Sequence, residues 1–206
     1  KEKPEVVFHM AAQISTSSSV RDPVLDAQTN ILGTLRLLDA ARHHGIEKFI
    51  YSSTGGALYG DPEENPCSED HPIRPLSPYG ISKLVGEQYL DLYHRNYRLN
   101  YTSLRYGNVY GPRQDPKGEA GVIAIFCMDM LKNSSPRIFG TGDQERDFIY
   151  VNDVVEANIL AMEQRTVGPY NIGTGSSCSV NDIFSMLSAE LKFRKAPIYS
   201  PNRMGD

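Results

Sequence analysis

The chain has 206 residues, 40% apolar and 22% charged, with a formal net charge of −4. This is globular composition, enough for one large domain or two unequal lobes, and it excludes a disordered polymer. The acidic balance excludes a general attraction to nucleic acid or to anionic lipid, so an anionic ligand must be gripped by local cations.

The chain opens KEKPEVVFHMAA. Val6-Val7-Phe8 predicts a short buried strand. No strand–loop–helix unit stands ahead of it, and the chain reads as part of a longer protein. From Asp22 to His44 the apolar residues Ile31, Leu32, Leu35, Leu38 and Ala41 keep one face, which predicts a long helix stopped by Gly45. His43-His44 at its end suits the helix dipole rather than a metal. Lys48 to Tyr51 predicts a strand ending at Ser52. A Gly-, Pro- and Asp-rich loop follows, in which Glu63, Glu64, Glu69 and Asp70 read as solvated charge.

Ser77-Pro78 predicts a helix start, with serine as N-cap and proline in the first turn, and the helix runs to about Tyr97. Tyr101 to Arg105 predicts the next strand. Strand and helix alternate, which implies an α/β fold: a doubly wound, Rossmann-like parallel sheet covered on both faces. Ligands of such sheets bind at the carboxyl ends of the strands. Residues 1–110 are expected to form this domain. Residues 111–206 are expected to form mainly a smaller α/β substrate-binding lobe, with 146–164 packing back on the first. In it, helices are predicted over 121–132, 153–164 and 180–191, and strands over 137–139 and 147–151.

No apolar run approaches the roughly 20 residues of a membrane span, and no signal segment is visible. Cys67, Cys127 and Cys178 are far apart, with no CxxC or zinc spacing, and read as reduced thiols of a cytoplasmic protein.

The chemistry centres on SPYGISK, Ser77 to Lys83. On a helix Tyr79 and Lys83 share a face. A phenol titrates near 10 and is a poor base at neutral pH, but a neighbouring ammonium favours the phenolate. The pair therefore predicts a general acid/base near pH 7, with Thr54 from a strand end relaying the proton. The bare pair is also what an exposed lysine beside a half-buried tyrosine would look like. Arg146 is either a phosphate fork or the surface partner of Glu145 or Asp147. Arg105, at a strand end, is open to a structural reading.

The surrounding motifs decide the weighting. HMAAQ (9–13), TNILGT (29–34), KFIYSSTGGALYG (48–60), SPYGISK, LRYGNVYGPRQDP (104–116), IFGTGDQERDFIYVND (138–153), YNIGTG (170–175) and NRMGD (202–206) occur in this order. Together they resemble the extended short-chain dehydrogenase/reductases, and among them the NAD-dependent nucleotide-sugar epimerases, with UDP-glucose 4-epimerase the most similar. The first βαβ unit of that fold, with its glycine-rich loop, would precede Lys1.

The resemblance implies a catalytic set of Thr54, Tyr79 and Lys83. It implies an NAD cofactor bound by Ala11, Ala12, Gln13, Asn30, Ser52, Tyr79, Lys83 and Tyr106, the last through its backbone. It implies a UDP-sugar held by Thr54, Asn108, Phe139, Arg146, Arg203 and Asp206. Reversible oxidation at sugar C4 and a homodimer paired through helices 22–44 and 78–97 are implied too, with Leu90 and Tyr93 either at that interface or in the core. A 4,6-dehydratase of this fold would carry Asp-Glu where Gly55-Gly56 stand, and a UDP-glucuronate decarboxylase a glutamate shortly after the threonine. A non-catalytic nucleotide-sugar binder would not need the intact triad.

Overall fold

The computed structural model describes residues 3–60, 62, 64, 66–116 and 121–201. Strand β1 (Val6–His9) leads to the short helices α1 (Thr16–Arg21) and α2 (Pro23–Asp26). A π-helical stretch, Ala27–Leu32, carries α2 directly into α3 (Gly33–His44). Then come β2 (Lys48–Thr54), α4 (Gly55–Leu58), α5 (Pro78–Tyr97), β3 (Asn100–Tyr106) and β4 (Asn108–Tyr110). The later segment holds α6 (Val122–Leu131), β5 (Arg137–Phe139), β6 (Glu145–Arg146), β7 (Phe148–Tyr150) and α7 (Val151–Glu163). It continues with β8 (Gly168–Ile172), β9 (Cys178–Ser179), α8 (Val180–Glu190) and β10 (Ile198–Ser200).

Local chemistry explains the boundaries. Asp22 caps α2 by accepting from the Leu25 amide at 2.9 Å, with Pro23 in the first turn. Gly45 ends α3 in the left-handed region at φ 66°, a conformation open to glycine at little cost. Ser77 caps α5 through the Gly80 amide at 3.1 Å, so the predicted start of that helix is the observed one. Helix α1 lies in a serine-rich run that carries no periodic signal. It forms because Ser15 accepts from the Ser18 amide at 3.1 Å.

The main sheet is parallel, in the order β1-β2-β3-β8. It has helices on both faces, so β2 is buried along most of its length. On one face Phe49, Tyr51 and Tyr101 pack with Leu38 and Ala41 of α3 and Leu90 of α5. On the other face Ile50 and Leu104 pack against Ala161 of α7. The fold is thus α/β and Rossmann-like. The sequence pattern does not reveal β8, because its Gly168-Pro169 start reads as turn chemistry. A proline is tolerated there because β8 has a sheet neighbour on one side only among the described residues. Both α7 and β8 come from the later segment yet complete the first layer, so the chain crosses back after residue 110. Lys48 fastens this return by donating to the carbonyls of Gln164 (3.1 Å) and Thr166 (2.6 Å).

A separate hydrophobic cluster packs Phe126 and Met130 of α6, Ile138 of β5, and Val180 and Ile183 of α8. Leu90 is core rather than surface, and Tyr93 lies half-buried against the same cluster. No described helix is long and apolar enough to cross a membrane.

Candidate active site

Two carboxyl-terminal strand ends meet the start of α5. Ser53 and Thr54 close β2, Tyr106 closes β3, and Tyr79 stands in the first turn of α5. They line one open cavity of about 330 Å³ with Asn108, Val109, Tyr110, Gln114 and Phe148. That volume is in the range of small-molecule sites. The α5 start can come this close because Gly80 has no side chain. A Cβ there would lie 2.4 Å from the Ala57 carbonyl oxygen.

Lys83 is buried one turn behind Tyr79, as the helical spacing requires. Its Nζ donates to the Ser52 carbonyl at 2.8 Å and sits 4.9 Å from the Tyr51 ring centroid and 5.9 Å from that of Tyr79. The expectation that the ammonium holds the phenol low is corrected here. Burial pushes Tyr79 up to about 12, only partly offset by the Thr54 hydroxyl, and the Asp26 carboxylate adds to the rise. Burial likewise brings Lys83 down to about 8, against the opposing pull of Asp26 and Glu87. The physical reason is that the lysine points its protons at a backbone carbonyl, while both groups lose water. Burial and Asp26 thus favour the neutral phenol of Tyr79, which is hydrogen-bonded to Thr54.

The loop after β1 is fixed from below. Asn30 accepts from the Gln13 amide and donates to the Gln13 carbonyl, both at 2.8 Å, and donates to Ser82 Oγ at 3.2 Å. Its side chain is spent on Gln13, Asp26 and Ser82, so it braces the loop from below. Ala11 is exposed and Ala12 half-buried on this loop. The Tyr106 hydroxyl accepts from Asn158 of α7 at 2.8 Å, which ties the β3 end to the far layer. Asn108 is anchored by its own amide to the Asp147 carbonyl at 2.6 Å.

Phe139 and Arg146 lie outside the lining of this cavity. Arg146 is exposed and donates to the Glu145 carbonyl at 2.8 Å. Asp147 is not its partner, because that carboxylate accepts from the Thr174 and Gly175 amides at 2.8–3.0 Å. Arg203 and Asp206 fall outside the described residues.

Three more residues, Arg105, Glu69 and Asp26, brace the site from outside the cavity lining. Arg105 is structural. It is 3% exposed, forks onto Glu87 (2.7 Å) and bonds the Tyr59 hydroxyl (2.7 Å). Glu69 is exposed, as expected of a solvated charge, but it is also tethered: its carbonyl accepts from Arg105 and its carboxylate from the Asn171 amide. Asp26 is buried beside the Gln13 loop, accepting from Gln13 Nε2 at 2.8 Å and Asn30 Nδ2 at 3.0 Å. Its i, i+4 spacing to Asn30 was the available signal.

The profile of the NAD dependent epimerase/dehydratase family matches residues 1–173. The chain belongs to that family. It is 44% identical over 205 residues to a UDP-glucose 4-epimerase of Mycolicibacterium smegmatis, covering 99% of this chain and 66% of the relative. Among solved structures it superposes on the Thermotoga maritima UDP-glucose 4-epimerase with UDP-glucose at a TM-score of 0.96 and 52% identity, covering 98% of this chain and 66% of that one. The Thermus thermophilus UDP-glucose 4-epimerase complex with NAD gives a TM-score of 0.92 at 46% identity, covering 98% and 67%. The chain thus spans about two thirds of the length of these family members.

Proposed function

We propose that the protein is an NAD-dependent nucleotide-sugar epimerase that interconverts UDP-glucose and UDP-galactose at sugar C4. One observation carries the reading. Thr54 and Tyr79 face one cavity, Lys83 is buried one turn behind, and no carboxylate lines that cavity among the described residues. A dehydratase or decarboxylase of this fold needs such an acid. At Gly56, where it would stand, there is no side chain, and a Cβ would make only an ordinary 3.7 Å contact with the Asn108 amide oxygen.

The residues fit the cofactor. Ser53 Oγ is buried without a protein partner and lines the cavity beside Thr54, which leaves a polar atom to be satisfied by a ligand. NAD, when bound, supplies the two-electron acceptor and donor for the sugar carbon. Ala11, Ala12 and Gln13, with Asn30 beneath, form its bed at the β1 end. Ser52, Lys83 and the Tyr106 backbone form it at β2 and β3. Tyr79, once ionised, takes the C4 hydroxyl proton and later returns it, and Thr54 shares that hydrogen bond. Lys83 stabilises the phenolate electrostatically. Asn108, Phe139, Arg146, Arg203 and Asp206 hold the nucleotide, with arginine suited to a diphosphate by its bidentate fork. A grip on the nucleotide alone leaves the hexose free to turn and present its other face.

The test is incubation of the whole protein with UDP-glucose and analysis of the products. Formation of UDP-galactose supports the reading. A 4-keto-6-deoxy product would replace it with a dehydratase, and the absence of turnover with a binding protein. A homodimer is part of the same proposal. Leu32 of the π-helical stretch, Leu37 of α3 and Leu92 and Tyr97 of α5 are 38–48% exposed, and a second copy would cover them. A monomeric mass by analytical ultracentrifugation of the whole protein would refute that part.

A further inference from the structure

We propose that Asp26 is a positioning residue of this site: its buried carboxylate fixes the Gln13 loop and the first turn of α5, and it is the counter-charge to Lys83 beside Tyr79. The inference rests on the epimerase reading for its catalytic meaning, but its geometry stands apart from it. Asp26 is 1% exposed, at the last residue of α2, where the backbone widens into the π-helical turn. Such turns recur at functional sites. Among the described residues no arginine, lysine or histidine forms an ion pair with it. A buried carboxylate without a cation in contact is costly and calls for an explanation.

The explanation lies in what it faces. Asp26 Oδ1 accepts from Gln13 Nε2 and from Asn30 Nδ2. Asn30 clamps the Gln13 main chain and reaches Ser82 Oγ, which donates to the Tyr79 carbonyl at 2.9 Å. One hydrogen-bonded chain thus links Asp26, the β1 loop and the first turn of α5. Asp26 also acts through space on both members of the pair, favouring the charged lysine and the neutral phenol. The other groups facing Lys83 are Glu87 from the next turn of α5, His9 from β1 and Tyr51 from β2. Of these only Glu87 is also an anion, and its carboxylate is engaged by Arg105 and by Ser103. Asp26 is therefore the anion whose charge is not already matched by a cation.

The test is Asp26→Asn in the whole protein, which keeps the size and an acceptor oxygen while removing the charge. Lysine labelled with 13C at Cε reports the Lys83 titration directly, without cofactor or substrate. The midpoint is expected to fall by about one pH unit. The alkaline limb of the kcat profile for UDP-glucose should move the same way. An unmoved Lys83 midpoint overturns the proposal, whatever happens to activity, because a purely structural role would not shift it. If Asp26→Asn fails to fold, Asp26→Ser, smaller and still an acceptor, takes the same measurement with the same two outcomes. If the parent protein turns over no nucleotide sugar, the epimerase reading fails, and the Lys83 midpoint alone decides this inference.

Discussion

The two halves of the proposed site are built on opposite principles. Among the described residues, every buried polar or charged side chain except Asn158 lies before residue 110, on the side that carries Thr54, Tyr79 and Lys83. There Asp26, Asn30, Glu87 and Arg105 are each held by two or more partners. On the lobe side, Arg146, Asp147 and the 173–176 turn make their contacts at the exposed surface. The difference teaches where precision is needed. Proton transfer requires groups fixed to fractions of an ångström, and desolvation strengthens their mutual effects. A grip on a diphosphate needs charge and reach, and it tolerates water.

Four measurements would break or sharpen that contrast. The largest effect is expected for Tyr79→Phe, which removes the acid/base while leaving its packing. The kcat for UDP-galactose formation should fall at least about a thousandfold with little change in thermal stability. A rate within tenfold of the parent would dissolve the catalytic half of the comparison.

Next comes Glu87→Gln, which strands the buried Arg105 guanidinium. Burial disfavours that charge, and the bonds to Glu87 and Tyr59 more than offset the penalty. Urea denaturation should show a loss of about 3–5 kcal/mol, because one buried ion is left without its partner. A loss below about 1 kcal/mol would mean that the pair is solvated and the half less rigid than described.

The third effect is pH-dependent. Burial, and then the Lys83 charge, bring His9 down to about 4 from an ordinary 6.5. The folded chain therefore binds fewer protons than the unfolded chain below 6.5. Stability contributed by neutral His9 is intact above pH 6.5 and is lost as the pH falls toward 4, by about 3 kcal/mol. His9→Gln should flatten that slope in denaturation curves taken across the interval, and an unchanged slope would assign it to other groups.

The smallest effect belongs to the open half. Arg146→Ala should raise KM for UDP-glucose roughly tenfold or more, as expected for a lost charged hydrogen bond, with kcat and stability nearly constant. A fall in kcat with unchanged KM would place this arginine in the chemistry instead.

Much of this protein was legible before its structure, and what was missed shares one cause. Ser77-Pro78 announced α5, and the 3.6-residue period announced α3, because capping and periodicity are local. The α1 helix and β8 were hidden, since serine and Gly-Pro runs look like loops until a cap or a neighbouring strand engages them. The partners of Arg105 and Glu69 were hidden as well, because Glu87, Tyr59 and Asn171 lie far off in sequence.

What the sequence by itself determined is the alternation that makes a parallel sheet, the shared face of Tyr79 and Lys83, and membership of the family through motifs in order. Tertiary structure alone decided the state of that pair. Lys83 finds the Ser52 carbonyl from 31 residues away, Asp26 is brought beside it, and burial raises the phenol rather than lowering it. Spacing along a helix dictates which side chains are neighbours, whereas ionisation depends on the water and charge that surround them, and those come from segments remote in the chain.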